Sequence, residues 1–411
     1  MRVLQINIVY KVKSTGRTCY EVEKFLISHG HDCVTAYGFN KHADTERNGN
    51  SFTINNRFEY YMHNFLSRLT GLEGYFSYFP TKRLIRFMEK YKPDIVHLRN
   101  LHGHYLNLGL LFKYLAEKKI PVIQNLHDMW AFTGGCCHYT ELKCNKWQST
   151  CCNCPSKKNY PQSWFFDWTS KMRKDKEFWY TNLHSLTVVA VSRWVAEETY
   201  KSFFKNIAEI IPIYNWINQN VFRVYNDLDD IREQYDLPKN KFIIIGVSSS
   251  WDQGTPRFED FLKISSRLHD DEVLVMVGET KSELSTFGIK HIPFTNDTVE
   301  LAKLYNCADV FVHCSVEDTF GKVIAEAMSC GTPAIVYNTT GCKELVDNDS
   351  GFIVEPRSID EIMDKIAIIK ANGKNSYTEK CINNAKNRFN YEKNIEVLYD
   401  VYKKLSSEMI E

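Results

Sequence analysis

The chain has 411 residues, of which 44% are hydrophobic and 25% are charged, with a formal net charge of +1. This composition is ordinary for a globular protein, and the length predicts two or three domains. The near-neutral charge argues against a nucleic-acid partner. No apolar run approaches the roughly 20 residues that span a bilayer. The chain enters a strand directly, without the layout of a signal peptide, so we expect a cytoplasmic protein.

Short apolar segments alternate with helical patterns along the chain, as in parallel α/β domains. The first set of predicted strands is Val3–Val9, Cys33–Tyr37, Asp94–Leu98, Val122–Leu126, Leu186–Val191 and Glu209–Ile213. The second set is Phe242–Val247, Val273–Val277, His291–Phe294, Val310–His313, Ala334–Tyr337 and Phe352–Val354. We therefore predict an N-terminal domain over residues 1–218, a polar linker over 219–240 and a C-terminal domain over 241–388. A final helix is predicted within residues 389–411, from about Tyr391 to Met409.

A helix start flanked by acids follows the buried strand that ends near Cys314. The helix is predicted from Thr319 to Ser329, because Gly331 and Pro333 are typical residues just beyond a helix end. In a parallel sheet this position lies at the edge where ligands bind, and the free amides that open a helix bind anions. The amides that would open this helix belong to Gly321, Lys322 and Val323.

Two carboxylates flank that helix start. Asp318 and Glu326 are eight residues apart, about two helical turns, so both can face one ligand. Because carboxylates are poor ligands for phosphate, the hydroxyl groups of a sugar are their natural partners. An acidic first turn that only stabilises the helix remains the alternative.

The segment from Asp318 to Glu344 resembles the signature of retaining glycosyltransferases of family 4, which have the GT-B fold. The matching residues are Asp318-Thr-Phe320-Gly321, Glu326-Ala-Met and Cys330-Gly-Thr-Pro333. The resemblance implies two Rossmann-like domains that face each other across a cleft, with the C-terminal helix crossing back to the N-terminal domain. It also implies that Glu326 binds the nucleotide ribose, that Asp318 binds the donor sugar, and that Phe320 to Val323 line the donor site. The family usually has Glu at the position of Asp318 and Gly at the position of Cys342.

Further donor contacts are implied by the same resemblance. Many family members place an Arg and a Lys after the first strand of the C-terminal domain, where they neutralise the diphosphate. Here the usual Lys-Gly is absent and Arg257 is displaced, so Lys322 and Lys281 are candidates for the missing charge. The family holds the base at the strand end that reads Pro293-Phe294-Thr295 here, so Thr295 is a further candidate.

Gly16 is a candidate donor contact in the N-terminal domain. It lies in a loop before a helix predicted from Thr18 onward, and a glycine there lets the backbone approach a substrate closely. In the family a similar loop contacts the acceptor or a donor phosphate. An ordinary strand-to-helix turn is the alternative.

Two polar clusters follow neighbouring strands of the N-terminal domain. One contains His127 and Asp128, and the other contains Arg99 and His102. Strand ends of this kind favour a ligand site. The resemblance assigns His127 to the donor sugar and the reaction centre, with Asp128 as its orienting partner. Arg99 and His102 are candidates for the acceptor side.

Six of the 13 cysteines lie between residues 136 and 154. The spacing of Cys136, Cys144, Cys151 and Cys154 suits a tetrahedral structural zinc site, with free buried thiols as the alternative. This insertion, near residues 134–165, resembles a subgroup of bacterial polysaccharide glycosyltransferases. The shared motifs are His127-Asp-x-Trp-x-x-Thr-Gly-x-Cys136, Cys151-x-x-Cys154-Pro and Tyr160-Pro-x-Ser-Trp164.

Four aromatic residues and four cations lie next to the cysteine-rich segment. The aromatics are Trp164, Phe165, Phe166 and Trp168, and the cations are Lys171, Arg173, Lys174 and Lys176. Such a pairing can dock at an anionic membrane surface. A buried aromatic cap beside a solvated helix face is the alternative, and the sequence alone slightly favours it.

We therefore expect a retaining glycosyltransferase that moves a sugar from a UDP- or GDP-sugar to a polysaccharide or a lipid-linked precursor. Catalysis would need no cofactor, because a helix dipole and cations can stabilise the leaving diphosphate. The enzyme would work in the cytoplasm or at the inner face of the membrane. A nucleotide-sugar epimerase of the same fold, or a weakly catalytic binding subunit of a polysaccharide assembly, are the alternatives.

Overall fold

The computed structural model describes residues 1–39 and 50–407. The chain divides into two compact units. The first contains Met1–Ile213 together with Ile395–Glu411, and the second contains Tyr214–Asn394. The predicted linker over residues 219–240 belongs to the second unit, because it contains a short helix over Asp229–Gln234.

The first unit is built on a seven-stranded parallel sheet with the order β3-β2-β1-β4-β5-β6-β7. Its strands are β1 (Arg2–Asn7), β2 (Asp32–Tyr37), β3 (Ser51–Thr53), β4 (Ile95–Leu98), β5 (Val122–Leu126), β6 (Leu186–Ala190) and β7 (Glu209–Pro212). Its helices are α1 (Lys13–Ser28), α2 (Arg57–Thr70), α3 (Tyr78–Tyr91), α4 (Leu108–Glu117), α5 (Thr169–Thr181) and α6 (Arg193–Tyr200).

The second unit is built on a six-stranded parallel sheet with the order β10-β9-β8-β11-β12-β13. Its strands are β8 (Phe242–Trp251), β9 (Glu272–Thr280), β10 (Lys290–Ile292), β11 (Val310–His313), β12 (Ala334–Tyr337) and β13 (Gly351–Val354). Its helices are α7 (Asp229–Gln234), α8 (Pro256–Ser265), α9 (Thr298–Cys307), α10 (Lys322–Ser329), α11 (Ile359–Asn372) and α12 (Asn375–Arg388).

The last helix, α13, runs over Tyr391–Ser407. From Ile395 onward it belongs to the first unit, as the family resemblance implies. Tyr402 places its hydroxyl 2.5 Å from His97 Nδ1, and the Tyr399 hydroxyl lies 2.8 Å from His31 Nε2. The predicted end of this helix at Met409 lies outside the described residues.

Each of the twelve predicted strands is present in the structure. The strands were recognisable as apolar runs because most of their residues are buried. All residues of β4, β5, β6, β11 and β12 are buried, because helices cover both faces of a parallel sheet. The pattern missed β3, a three-residue strand at the sheet edge. It also misplaced β10, which ends at Ile292, so that Pro293 and Phe294 are exposed.

Helix α1 begins earlier than predicted. Its N-cap is Val12, with φ of −107° and ψ of 158°, so Gly16 lies in the first turn of the helix. The Gly16 carbonyl accepts a hydrogen bond from the Lys11 amide at 3.0 Å. A Cβ atom on Gly16 would lie 3.2 Å from the backbone of Tyr10 and Lys11. The absence of a side chain at Gly16 thus allows the backbone of Tyr10 and Lys11 to pack against it. Gly16 lies within α1, which corrects the prediction that it lies in a loop before the helix.

Among the helices of residues 1–39 and 50–407, none has the length and apolar character needed to cross a membrane.

Candidate functional site

Each sheet has one point where the strand order reverses, and polar residues gather there in both units. In the first unit the reversal lies between β1 and β4, and in the second between β8 and β11. Ligands of open parallel sheets bind outside the carboxyl ends of the strands at this point.

In the first unit, five of the polar residues that follow β4 and β5 line one small pocket. They are Arg99, Asn100, His102, His127 and Asp128. The structure thus brings together the predicted reaction-centre residues and the predicted acceptor-side residues.

Arg99 is 2% exposed and is held from two sides. Its Nε and Nη2 atoms donate to Gln5 Oε1 at 3.2 and 3.1 Å, and its Nη1 atom lies 3.1 Å from His127 Nε2. A guanidinium group has no lone pair to accept a hydrogen bond, so we assign His127 Nε2 as the acceptor. Arg99 therefore sets the orientation and tautomer of His127 within the pocket.

Asp128 is the centre of a second hydrogen-bond network. Its Oδ2 atom lies 2.7 Å from His102 Nε2 and accepts from Asn100 Nδ2 at 2.5 Å. Its Oδ1 atom accepts from the Trp130 amide at 2.9 Å. Burial alone would raise the pKa of Asp128, but His102 and the Trp130 amide outweigh it and hold this pKa well below its usual range. Asp128 thus remains an anion and orients His102.

The loop that carries His102 is anchored to a buried carboxylate that sequence analysis missed. Glu73 Oε1 accepts from the amides of Gly103 and His104 at 2.9 and 2.8 Å, and its Oε2 atom lies 2.7 Å from His104 Nδ1. His63 Nε2 lies 3.7 Å from the same oxygen. Burial opposes ionisation of Glu73, but the two histidines hold its pKa well below normal. An isolated Glu in a loop gives no sequence signal for this role.

In the second unit, Gly321 is the N-cap of α10 with φ of +79°. Asp318 Oδ1 accepts hydrogen bonds from the amides of Gly321 at 2.9 Å and Phe320 at 3.4 Å. Asp318 therefore caps the helix, while 34% of its side chain stays exposed. Its second oxygen lies 3.4 Å from His313 Nε2.

Glu326 lies one turn into α10 and is 7% exposed. Its Oε2 atom lies 3.4 Å from the hydroxyl of Tyr305 on α9. A carboxylate held in the wall of the helix, with a hydroxyl partner behind it, is preorganised to accept hydrogen bonds from a bound ligand.

Arg257 is the second residue of α8, at the helix start that neighbours α10 across the sheet reversal. Its Nη2 atom donates to the Ser250 carbonyl at 3.1 Å, and its guanidinium lies 5.2 Å from the Trp251 ring centroid. Burial lowers the pKa of Arg257, and the charge of Asp318 opposes that effect. The displaced arginine therefore lies within electrostatic range of the predicted sugar-binding acid.

The other predicted donor residues differ in their positions. Lys322 opens α10, and its neighbour Val323 is half-buried. Lys281 is exposed just beyond β9. Thr295 donates to Glu300 and accepts from the Asp297 amide at 3.0 Å, so it organises the start of α9. The Phe320 ring is 1% exposed and packs 5.4 Å from Phe389, which leaves its backbone as the part that could meet a ligand.

Three groups of side chains in the described residues place metal-ligating atoms within 4.8 Å of one another. The groups are His63–Glu73–His104, His102–Asp128–Cys137 and His313–Asp318–Cys342. Hydrogen bonds within the first two groups satisfy the carboxylates described above. The four cysteines of the predicted zinc site line a separate cavity in the insertion.

The aromatic residues of the insertion contradict the prediction of a buried cap. Trp164, Phe165, Phe166 and Trp168 are between 43% and 63% exposed. Of the neighbouring cations, Arg173 and Lys176 are instead buried. Arg173 donates to the Trp147 carbonyl in the insertion, and Lys176 donates to the Trp130 carbonyl just before it.

The model of the family described as Glycosyltransferase Family 4 matches residues 15–221, half of the chain. The model described as Glycosyl transferases group 1 matches residues 218–388. The class defined by the two parallel α/β units is therefore that of the glycosyltransferases. The chain belongs to glycosyltransferase family 4.

Curated relatives are consistent with this assignment. The putative colanic acid biosynthesis glycosyl transferase WcaC of Escherichia coli is 25% identical over 284 residues, 65% of each chain. The Escherichia coli UDP-Gal:alpha-D-GlcNAc-diphosphoundecaprenol alpha-1,3-galactosyltransferase is 26% identical over 260 residues, 58% of this chain and 66% of its own. The chain thus matches slightly less than two thirds of the length of these relatives.

Solved structures show the same fold. A glycosyltransferase from Rickettsia africae has a TM-score of 0.66 and 17% identity, and the alignment covers 98% of both chains. Anabaena HepE in complex with UDP has a TM-score of 0.66 and 14% identity, over 98% of this chain and all of that one. The two Rossmann-like units therefore have the GT-B architecture.

Proposed function

We propose that this protein is a retaining glycosyltransferase that moves a sugar from a UDP- or GDP-sugar to a lipid-linked glycan precursor. One observation carries the proposal. The start of α10 combines a left-handed glycine, the capping Asp318 and the buried Glu326, beside the cation of Arg257. Helix amides and a cation suit a diphosphate, and carboxylates suit ribose and sugar hydroxyls.

The first unit would supply the reaction centre. His127 is held by Arg99 with its Nε2 atom as an acceptor, so its Nδ1 atom carries the proton and can donate to a sugar hydroxyl. The His102–Asp128 pair, with His102 8% exposed, would contact the acceptor. Leaving-group departure would be stabilised by the α10 amides and by Arg257, which are electrostatic contributions.

The relatives' names support a lipid-linked acceptor. One is named for a diphosphoundecaprenol substrate in Escherichia coli, and another is the Campylobacter jejuni N,N'-diacetylbacillosaminyl-diphospho-undecaprenol alpha-1,3-N-acetylgalactosaminyltransferase, 24% identical over 143 residues. An enzyme that uses such an acceptor has to meet it at the bilayer surface.

The first unit carries a surface suited to that contact. Phe58, Tyr61, Met62 and Phe65 form an outward stripe along α2, with Phe58 71% exposed. This stripe continues into the insertion, because Phe65 packs 6.0 Å from Trp164 and the Trp164 amide donates to the Arg68 carbonyl at 2.7 Å. We call these five residues, with Phe165 and Phe166, the aromatic surface.

The aromatic surface would bind an anionic bilayer. Three exposed cations lie on α2, in the insertion and on the following helix α5, namely Arg57, Lys158 and Lys174. Each cation near an anionic surface contributes about 1 kcal/mol. Aromatic side chains with basic neighbours are typical of interfacial binding.

Co-sedimentation with vesicles tests the membrane contact. We expect binding to vesicles that contain phosphatidylglycerol, weaker binding to phosphatidylcholine alone, and weakening by salt. The triple variant Phe58→Ser, Phe65→Ser, Phe165→Ser should lose at least tenfold in binding. Phe287→Ser, which changes an exposed residue of the second unit, is the matched control. Absence of wild-type binding to anionic vesicles would refute this contact.

A transfer assay tests the activity. The protein is incubated with UDP- or GDP-sugars labelled in the sugar and with a polyprenyl-diphosphate-linked saccharide. We expect label in the organic-extractable fraction, with the anomeric configuration of the donor retained, and loss of transfer in His127→Ala. Conversion of the donor sugar without an acceptor would instead favour an epimerase. Nucleotide binding without either reaction would favour a binding subunit.

A further inference from the structure

We infer that Cys136, Cys144, Cys151 and Cys154 bind one zinc ion, and that this metal holds the insertion in the position from which Tyr160 reaches His102. The inference deepens the proposed function, since it makes the insertion a part of the acceptor-side pocket. Its metal-binding half does not depend on that function.

The four cysteines share one environment in the fold. They line a single cavity together with Gly134, Trp147 and Thr169. All are free thiols. They come from three separate turns of the chain, so a common ligand would cross-link the insertion to itself. Four thiolates form the donor set of a closed structural zinc site.

Backbone amides contact two of these cysteines. The backbone amide of Gly134 bonds to Cys151, and the backbone amide of Ser156 bonds to Cys154. Such bonds from outer groups orient metal ligands.

Gly134 shows how tightly the cavity wall is built. A Cβ atom at this position would lie 2.5 Å from the Thr169 carbonyl oxygen and 2.8 Å from Cys151 Cβ. The chain therefore packs the start of the insertion directly against the third cysteine. An aromatic cluster borders the same cavity, where Trp147 lies 5.1 Å from Phe132 and 4.8 Å from Tyr139.

The described thiols are not among the groups that converge within 4.8 Å. Zinc–sulfur bonds of about 2.3 Å would draw them together. Metal binding should therefore tighten the segment from Cys144 to Tyr160, while the packing of Trp147 against Phe132 and Tyr139 keeps the insertion folded without metal.

Tyr160 connects this segment to the pocket. Its ring is half exposed, but its hydroxyl lies 3.0 Å from His102 Nδ1. His102 Nε2 faces Asp128 at 2.7 Å, so the histidine is held through both ring nitrogens. Tyr160 is therefore a positioning residue for the His102–Asp128 pair. Since it follows Cys154 by six residues, its position depends on how firmly that cysteine is held.

Metal analysis of the purified full-length protein tests the first half. We expect about one zinc per chain, and Co²⁺ substitution should give the intense visible bands of tetrahedral thiolate ligation. The double variant Cys144→Ser, Cys154→Ser should lose the metal. Cys152→Ser, which changes a fifth cysteine that borders the cavity but is exposed, should keep it. A metal-free wild type, or zinc retained by the double variant, would overturn the proposal.

Hydrogen exchange tests the second half without any activity assay. Removal of zinc from wild type by a chelator should speed exchange in residues 144–160 and in the loop over residues 99–104, but not in β6. Tyr160→Phe should speed exchange in the 99–104 loop while leaving the zinc content unchanged. It should also shift the pH profile of sugar transfer. If exchange in the 99–104 loop is unchanged both after zinc removal and in Tyr160→Phe, the proposal that the metal supports the position of His102 is refuted.

Discussion

Arg99 Nη1 donates to His127 Nε2 over 3.1 Å, from a guanidinium that is itself fixed by Gln5. Because the guanidinium can only donate, the proton of a neutral His127 lies on Nδ1. His127 is thus presented in one tautomer by a buried arginine that directly follows the neighbouring strand. The sequence made Arg99 a candidate for the acceptor side, and in the structure it lines the pocket and also holds His127.

Replacement of Arg99 by lysine should therefore impair chemistry more than binding. Lysine keeps the charge but cannot bond Gln5 and His127 together. We expect a decrease in transfer rate of roughly 10- to 100-fold, the usual cost of a misplaced catalytic group. Thermal stabilisation of Arg99→Lys by nucleotide should remain, because the residues proposed to bind the nucleotide lie in the second unit. Full activity of Arg99→Lys would contradict this role.

Asp128→Asn should lower stability in a pH-dependent manner. The native pKa of Asp128 is depressed, so its ionisation stabilises the fold above the unfolded pKa of about 3.9, and this contribution is lost as the pH falls below that value. The variant should be less stable at pH 7 by about 2 kcal/mol. Urea unfolding at pH 7 and at pH 3.5 measures the effect, and the gap between wild type and variant should narrow at the lower pH. A constant gap would argue against an ionised native Asp128.

The buried His63 predicts a second pH effect of distinct origin. Burial lowers its pKa to about 4, although Glu73 opposes this shift. The unfolded chain therefore binds a proton at His63 between about pH 6.5 and 4 that the native protein does not bind, and stability should fall as the pH falls through this window. In His63→Gln this part of the pH dependence should disappear. Unfolding curves of both proteins at pH 7 and pH 5 provide the measurement, with His184→Gln as the control.

Gly321→Ala should destabilise the second unit and disturb the start of α10. Its φ of +79° is unfavourable for alanine, and the new Cβ would lie 2.6 Å from Ile324 Cδ1. Gly288→Ala is a matched control, since φ is +69° there and no atom lies within 4 Å of the new Cβ. We expect about 1–2 kcal/mol from the backbone strain alone in the control and a larger loss in Gly321→Ala. Equal losses in the two variants would show that the space around Gly321 is not restrictive.

The sequence was sufficient to predict the two sheets because their strands are buried on both faces and read as apolar runs. It placed the end of α10 correctly at Ser329, before Gly331 and Pro333, but it placed the helix start at Thr319, whereas α10 begins at Lys322 after the N-cap Gly321. It did not predict that α1 begins at Lys13, because no capping side chain marks that start. Because α1 begins at Lys13 and not at Thr18, Gly16 lies in the helix and not in the loop where it was predicted.

Contacts between distant segments were beyond sequence analysis. Gln5, 94 residues before Arg99, is an amide in an apolar strand and gives no hint of its partner. Tyr160 and His102 are 58 residues apart, and the motif that contains Tyr160 carries no sign of a hydrogen bond. Likewise, the sequence does not show that Trp164 packs beside Phe65 of α2, which places both residues on the exposed aromatic surface.

The central claim is that α10 and its neighbours bind a nucleotide diphosphate sugar. The most direct test is a thermal-shift panel of UDP, GDP, ADP and their sugars on wild type, Glu326→Ala and the exposed control Glu379→Ala. We expect stabilisation by one nucleotide family in wild type and control, and its loss in Glu326→Ala. Absence of stabilisation by any nucleotide in wild type, or equal stabilisation of Glu326→Ala, would contradict the account.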